Sequence, residues 1–227
     1  MIRKEKMPFQ ELPKITSWSF SRWKTYTQCP LKSRFKYIDK LVEPSSPQME
    51  EGTRVHQLAQ DFVEGKIKKL PEELSAFPDK FKLIKRVKAQ CELEWAFTAS
   101  WEPCEWKSKS VWLRVKTDAT FVQCGVRMVI DYKTGKIYPD HPLQLELYAL
   151  ASFIMHREDT VECADWYIDQ RVISEKQRWY RDDLPKLKED WAKRVGPMMR
   201  DTIFPARPGY ACKWCHFRKA NGGPCSF

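Results

Sequence analysis

An aspartate, one spacer and a lysine close an alternating run at residues 126–136, VRMVIDYKTGK. Read with the period of a strand, Val126, Met128, Ile130 and Tyr132 share one face, and Arg127, Val129, Asp131 and Lys133 share the other. The plain alternative is a solvated strand face carrying a surface salt bridge. The chemical one is a metal site with an amine beside it. A second acid, Asp118, sits on the strand-like run before it, across the short connection Gln123-Cys124-Gly125. A loop of two residues (Cys124 and Gly125) or of four pairs Asp118 directly with Asp131, their Cβ atoms about 4.5–5.5 Å apart. A simple three-residue loop puts them on opposite faces unless a bulge restores the register. Two carboxylates that close repel, so a site must raise one pKa or hold a divalent cation between them. Hard oxygen ligands suit Mg²⁺ or Mn²⁺. Such an ion lowers the pKa of a bound water and neutralises charge developing on a phosphate. A lysine on the same face can orient that water or stabilise the pentacovalent transition state, which is the chemistry of phosphodiester hydrolysis.

The elements that must position these groups can be read from periodicity. SWSFSRWKTYTQCPLKSRFKYIDKL reads as two short helices broken at Cys29-Pro30, because Pro fixes φ and favours a helix start. EPSSPQMEEG reads as a polar loop. From Thr53, Val55, Leu58, Ala59, Phe62 and Val63 follow helical spacing, with Gly65 near the end, and His56 borders that apolar stripe. PDKFKLIKRVKAQ is a further helix. Three strand-like runs follow, CELEWAFTA, VWLRVKTDATFV and VRMVIDYK, the last two forming a hairpin. HPLQLELYALASFIMH returns to helix with Pro142 in its first turn, and Gln144 and Tyr148, four apart, share a face. ADWYIDQRVI reads as a strand and RDDLPKLKEDWAKRV as a late helix. The order predicts an α/β protein, a central sheet flanked by helices.

Gly52-x-x-x-His56 in a helix, an isolated Asp118, then IDYKTG and Gln144-x-x-x-Tyr148 form a set. It resembles the RecB-like branch of the PD-(D/E)xK nuclease superfamily, which includes RecB and AddB nuclease domains, CRISPR-associated nucleases and phage exonucleases. The resemblance spans about residues 17–225. It implies a restriction-endonuclease-like core with a mixed sheet, over one domain of residues 1–227. It implies that His56, Asp118, Asp131 and the main-chain carbonyl of Tyr132 bind the metal. Lys133 takes the catalytic lysine's part, and Gln144 and Tyr148 position lysine, water or the DNA backbone. A strand glutamate often assists in the family; Glu94 is the first match, with Glu92 the rival. The RVKTDAT context of Asp118, with Arg114 and Lys116 nearby, departs from the family's usual G-x-x-D.

Eight cysteines stand in the chain. Cys91, Cys104, Cys124 and Cys163 are scattered singly and read as small buried hydrophobes. Cys212, Cys215 and Cys225 open with a C-x₂-C knuckle that reads on spacing as a zinc site, in which His216 is a further candidate ligand. The family resemblance supplies another reading. One cysteine before a proline near the start, here Cys29, joins three at the end around a 4Fe–4S cluster, tying segments about 17–40 and 204–227 together. The nine residues between Cys215 and Cys225 exceed the family's commoner gap, which keeps zinc as the alternative.

A net charge of +10 suits a polyanion, nucleic acid first. Basic and aromatic residues interleave in SWSFSRWKTYTQ, CKWCHFRK and QRVISEKQRWYR, the recipe for single-strand binding. No apolar run reaches the ~18 residues of a membrane span, and MIRKEKMPFQELPK lacks the apolar core of a secretion signal. The expectation is therefore a cytoplasmic, Mg²⁺- or Mn²⁺-dependent deoxyribonuclease, exonuclease rather than endonuclease. Its substrate would be single-stranded DNA or DNA ends in recombination, repair or replication, with a protein partner in that pathway. By analogy, a compact nuclease without a helicase suggests a phage or mobile element. The alternative is a non-catalytic DNA-binding or recombination-partner module on the same fold.

Overall fold

The computed structural model describes residues 12–227, so the first eleven residues of the charged N-terminal stretch lie outside it. The described residues group into two compact units, one of residues 12–16, 21–43 and 195–227, the other of 17–20 and 44–194.

In the first unit, α1 (Phe20–Gln28) and α2 (Pro30–Tyr37) are parted at Cys29. Its extended backbone, followed by Pro30, restarts the helix as expected. The C-terminal segment packs against them. Tyr26 donates to Asp201 Oδ2 at 2.8 Å and meets Phe204 edge-on, and Phe35 meets Phe217 with centroids 5.6 Å apart. Burial and the bond to Asp201 push the Tyr26 phenol up to about 12.

The second unit opens with α3 (Pro47–Val63). It begins six residues before Thr53, inside the stretch expected to be loop. Ser46 accepts a hydrogen bond from the Met49 N–H at 3.2 Å and Pro47 fills the first turn, a start signal hidden among polar residues. After α4 (Pro78–Arg86) come β1 (Gln90–Phe97), β2 (Pro103–Cys104), β3 (Leu113–Gln123) and β4 (Val126–Lys133). Then follow α5 (His141–Met155), β5 (Thr160–Tyr167), β6 (Val172–Ile173), β7 (Gln177–Tyr180) and α6 (Leu184–Arg200), which continues into the first unit. The sheet runs β2-β1-β3-β4-β5-β6, with β7 also pairing β5. It is mixed: β4 and β5 are parallel, joined through α5, and the other pairs are antiparallel. This is the restriction-endonuclease-like arrangement expected from the sequence.

The alternation in β4 sorts its faces as read. Ile130 and Tyr132 enter a core with Val55, Ala59 and Phe62 of α3, Phe81 of α4 and Trp166 of β5. Each such burial is worth about 1.5–3 kcal/mol, which fixes the register and turns Asp131 and Lys133 to the other face. That face meets α5, where Leu145, Leu147, Leu150 and Phe153 are all buried.

The hairpin loop has two residues, since Gln123 pairs with Val126. Cys124 (φ 50°) and Gly125 (φ 77°) are both left-handed, the twist a two-residue hairpin turn requires. Cys124 is therefore exposed, Cys91 and Cys104 are half-buried, and only Cys163 is the buried hydrophobe expected of all four. Among the described residues, no helix is long and apolar enough to cross a membrane.

Candidate active site

The ladder from that turn runs to Ala119 opposite Ile130. One step further in the same register stand Asp118 and Asp131, the pairing a two-residue loop demands. Tyr132 N–H donates to Asp118 Oδ2 at 2.6 Å. His56 Nδ1, from α3, lies 3.3 Å from Asp118 Oδ1. Burial and the Asp131 charge push the Asp118 carboxyl above its ordinary range, against the pull of His56. Burial alone would lower His56, but the Asp118 carboxylate outweighs it and raises the imidazole to about 9.

Asp131 has different company. Its Oδ1 accepts from Tyr148 OH at 2.5 Å and from Gln144 Nε2 at 3.3 Å, and Lys133 Nζ salt-bridges its Oδ2. Burial works to raise this carboxyl too, yet Lys133 and Tyr148 hold it below the ordinary range. Lys133 Nζ also donates to Gln144 Oε1 at 2.8 Å. Burial pulls the ammonium down and the Asp131 charge more than restores it, so Lys133 is a cation and a donor at neutral pH. Gln144 and Tyr148, one turn apart on α5, are bonded to each other at 2.8 Å. A cleft of about 560 Å³ is lined by His56, Asp118, Asp131, Lys133, Gln144 and Tyr148, with Tyr132 beside them.

The family model of the PD-(D/E)XK nuclease superfamily matches residues 17–220. The chain belongs to this superfamily. Two solved structures resemble it in shape. One is a candidate exonuclease from Eubacterium rectale, at 12% identity and TM-score 0.50, covering 93% of this chain and 89% of that one. The other, SSO0001, has 14% identity and TM-score 0.45, covering 92% and 87%. No curated protein sequence matches the chain.

Asp118, Asp131 and Lys133, which the sequence marks out as two acids and a lysine, line the same cleft. Of the two candidate strand glutamates, the structure brings the rival rather than the first match into the cleft. Glu94 is exposed and outside the cleft, whereas Glu92 lines it. Glu92 has a left-handed backbone (φ 54°) that breaks the simple alternation of β1, and Lys116 pairs with its carboxylate. Period-two counting puts both glutamates on one face; only the local backbone turn separates them. His56, Glu92 and Asp118 bring one donor atom each within 4.8 Å of one another, so the donor set fits the divalent ion PD-(D/E)XK nucleases use. Asp131 stands beside this trio with its oxygens engaged by α5 and Lys133.

Sequence reasoning missed Asp165. Its residue type on β5 was visible, but its pairing with Asp131 across a parallel ladder was not. Burial and the Asp131 charge push its carboxyl up to about 7.

In the first unit, Cys29, Cys212, Cys215 and Cys225 line one cavity of about 140 Å³, and all four are free thiols. Arg207 N–H donates to Cys29 Sγ at 3.5 Å. Among the described residues, no three cysteine sulfurs lie within 4.8 Å of one another, so the thiols do not close on a single ion as a tetrahedral zinc site requires. The tail is folded tightly. Cys225 N–H donates to Phe217 O at 2.9 Å, and a Cβ on Gly223 would lie 2.3 Å from the Phe217 main-chain carbonyl. Because that neighbour is backbone, Gly223→Ala is expected to destabilise the protein by about 1–3 kcal/mol, read as a lowered Tm. A melting curve that overlays wild type would show that the tail tolerates the methyl.

Proposed function

We propose that the chain is a Mg²⁺- or Mn²⁺-dependent deoxyribonuclease acting exonucleolytically on single-stranded DNA or DNA ends inside the cell. The observation that carries this reading is a half-buried lysine held by a carboxylate, in one cleft with a His–Glu–Asp donor trio. His56, Asp118, Asp131 and the Tyr132 carbonyl would hold the ion, with Glu92 joining. When bound, it would supply a water of lowered pKa and neutralise charge on the phosphate. Lys133 would donate its protons toward the attacked phosphate or the incoming water, where a positioned cation stabilises developing charge. Tyr148 and Gln144 hold Asp131 and Lys133 in place, so little reorganisation is needed as charge develops. No residue here is placed as a nucleophile, and no covalent intermediate is expected.

Both units are taken as parts of one nuclease domain, because the family match covers both. A 4Fe–4S cluster on Cys29, Cys212, Cys215 and Cys225 is proposed as the tie within the first unit. In its favour, four cysteines outside any disulfide line one cavity. Its part would be structural, cross-linking segments almost two hundred residues apart in sequence. Single-strand binding draws support from the tail. Tyr210 and Trp214 are 79% and 61% exposed, with ring centroids 4.6 Å apart, and Lys213 Nζ lies 5.5 Å from the Trp214 ring. Residues 204–227 carry Arg207, Lys213, Arg218 and Lys219 and no acidic side chain. Base stacking contributes about 1–3 kcal/mol per base, so Tyr210→Ala/Trp214→Ala should weaken binding of a labelled oligothymidylate in EDTA about tenfold or more. Unchanged anisotropy titrations would remove the tail from the DNA interface.

The deciding experiment is degradation of end-labelled single- and double-stranded DNA with Mg²⁺, Mn²⁺ or EDTA. Metal-dependent release of short products from an end is expected. Protein that binds DNA and metal yet cleaves nothing would leave the binding-module reading in its place.

A further inference from the structure

Asp165 is only 2% exposed, and the mechanism above makes no use of it. The parallel ladder sets Asp165 beside Asp131 and Tyr167 beside Lys133. One side of the carboxylate is fixed. Tyr167 OH donates to Oδ2 at 3.4 Å, His141 Nδ1 lies 2.7 Å from that hydroxyl, and the two rings stack with centroids 5.7 Å apart. The Asp165 main-chain N–H donates to Ser174 Oγ at 3.0 Å, which anchors the backbone as well. The other oxygen, Oδ1, is buried without a hydrogen-bond donor and lies 4.0 Å from Lys133 Nζ. The Asp131 carboxyl also bears on this group, and a buried carboxyl oxygen with no donor of its own is costly and calls for an explanation.

Lys133 now rests on Asp131 Oδ2. Divalent metal and ammonium cannot share that oxygen without strong repulsion. We propose that Asp165 is a positioning carboxylate for Lys133, receiving its ammonium when Asp131 is taken up by the metal. The inference rests on the metal-dependent nuclease reading. A displacement of about 1 Å turns the present separation into a charge-assisted hydrogen bond, which the flexible lysine stem accommodates. Gln144 Oε1, 2.8 Å from Nζ, gives the ammonium a second anchor through the shift. The lysine thus stays charged and close to the cleft, while Asp131 is freed for the ion.

The test is a crystal structure of wild-type protein soaked with MnCl₂. Manganese in the cleft with Lys133 Nζ moved to within about 3 Å of Asp165 Oδ1, and off Asp131, is the expected result. Manganese bound with Lys133 still on Asp131, or with Asp165 itself as a ligand, overturns this proposal and leaves the nuclease reading standing. A cleft that takes no manganese overturns both. Kinetics give the second readout: Asp165→Asn should lower kcat about tenfold with KM unchanged, because orientation of the lysine is lost and DNA binding is not. A rise in KM at wild-type kcat would contradict the assignment.

Discussion

Replacing Lys133 with methionine is expected to lower kcat a hundred- to ten-thousandfold, an effect on the order of those seen when a preorganised charge or proton donor is removed. DNA affinity measured in EDTA should stay near the wild-type value. The lysine side chain is only 16% exposed and its ammonium is directed at Asp131 and Gln144, so it adds little to a surface on which DNA lands. Methionine keeps the stem's volume and removes the charge, which separates chemistry from packing. It also leaves Asp131 without its cation, so the variant's fold must be checked by circular dichroism before the rate is read. A variant that folds, binds DNA and cleaves within threefold of wild type would remove Lys133 from the chemistry. Arginine is no conservative substitute here, because its planar fork does not fit a point-charge position.

The metal-free protein should lose stability as pH rises from about 6.5 to about 9. His56 is the cause. Its folded pKa is raised above the unfolded value, so its contribution is fully present below the unfolded pKa and disappears through the folded one. Its side chain is 30% exposed and the raising partner is the buried Asp118, so the contribution is about 2 kcal/mol rather than the full value of the shift. Asp118→Asn removes that partner and should flatten the slope of melting temperature against pH in EDTA. The same substitution should abolish the rise in Tm that Mn²⁺ gives wild type, a rise worth about 2.7 kcal/mol at a hundredfold excess over Kd. If Asp118→Asn kept both the slope and the manganese shift, Asp118 would be neither the partner of His56 nor a metal ligand.

The sequence set out the β3–β4 hairpin and the side chains it brings together from local rules alone. Alternation put Asp131 and Lys133 opposite the Ile130–Tyr132 face, and the structure buries that second face under α3 and α4. Counting residues across Cys124-Gly125 put Asp118 opposite Asp131, and the two left-handed turn residues make the loop length two. The spacing of Gln144 and Tyr148 put both on one helical face, and both reach Asp131. These relations depend on residues at most about thirty apart, joined by periods of 2 and 3.6 that any sequence displays.

The readings that failed needed information of another kind. Glu92 and Glu94 are indistinguishable by alternation, and a left-handed backbone at Glu92 decides between them. The start of α3 lies in a Ser-Pro-rich run whose composition says loop, while the Ser46 cap and Pro47 say helix. Asp165 could be placed beside Asp131 only once β5 had come back parallel to β4 through α5, since a crossover connection leaves the register of its two strands unmarked in the sequence. Local periodicity, then, determined which residues face one another along a strand, a turn or a helix. Which carboxylate stands next to which lysine across the sheet was settled by packing, because burial of the α3–α4 and α5 faces selects one register among many that the backbone alone would allow.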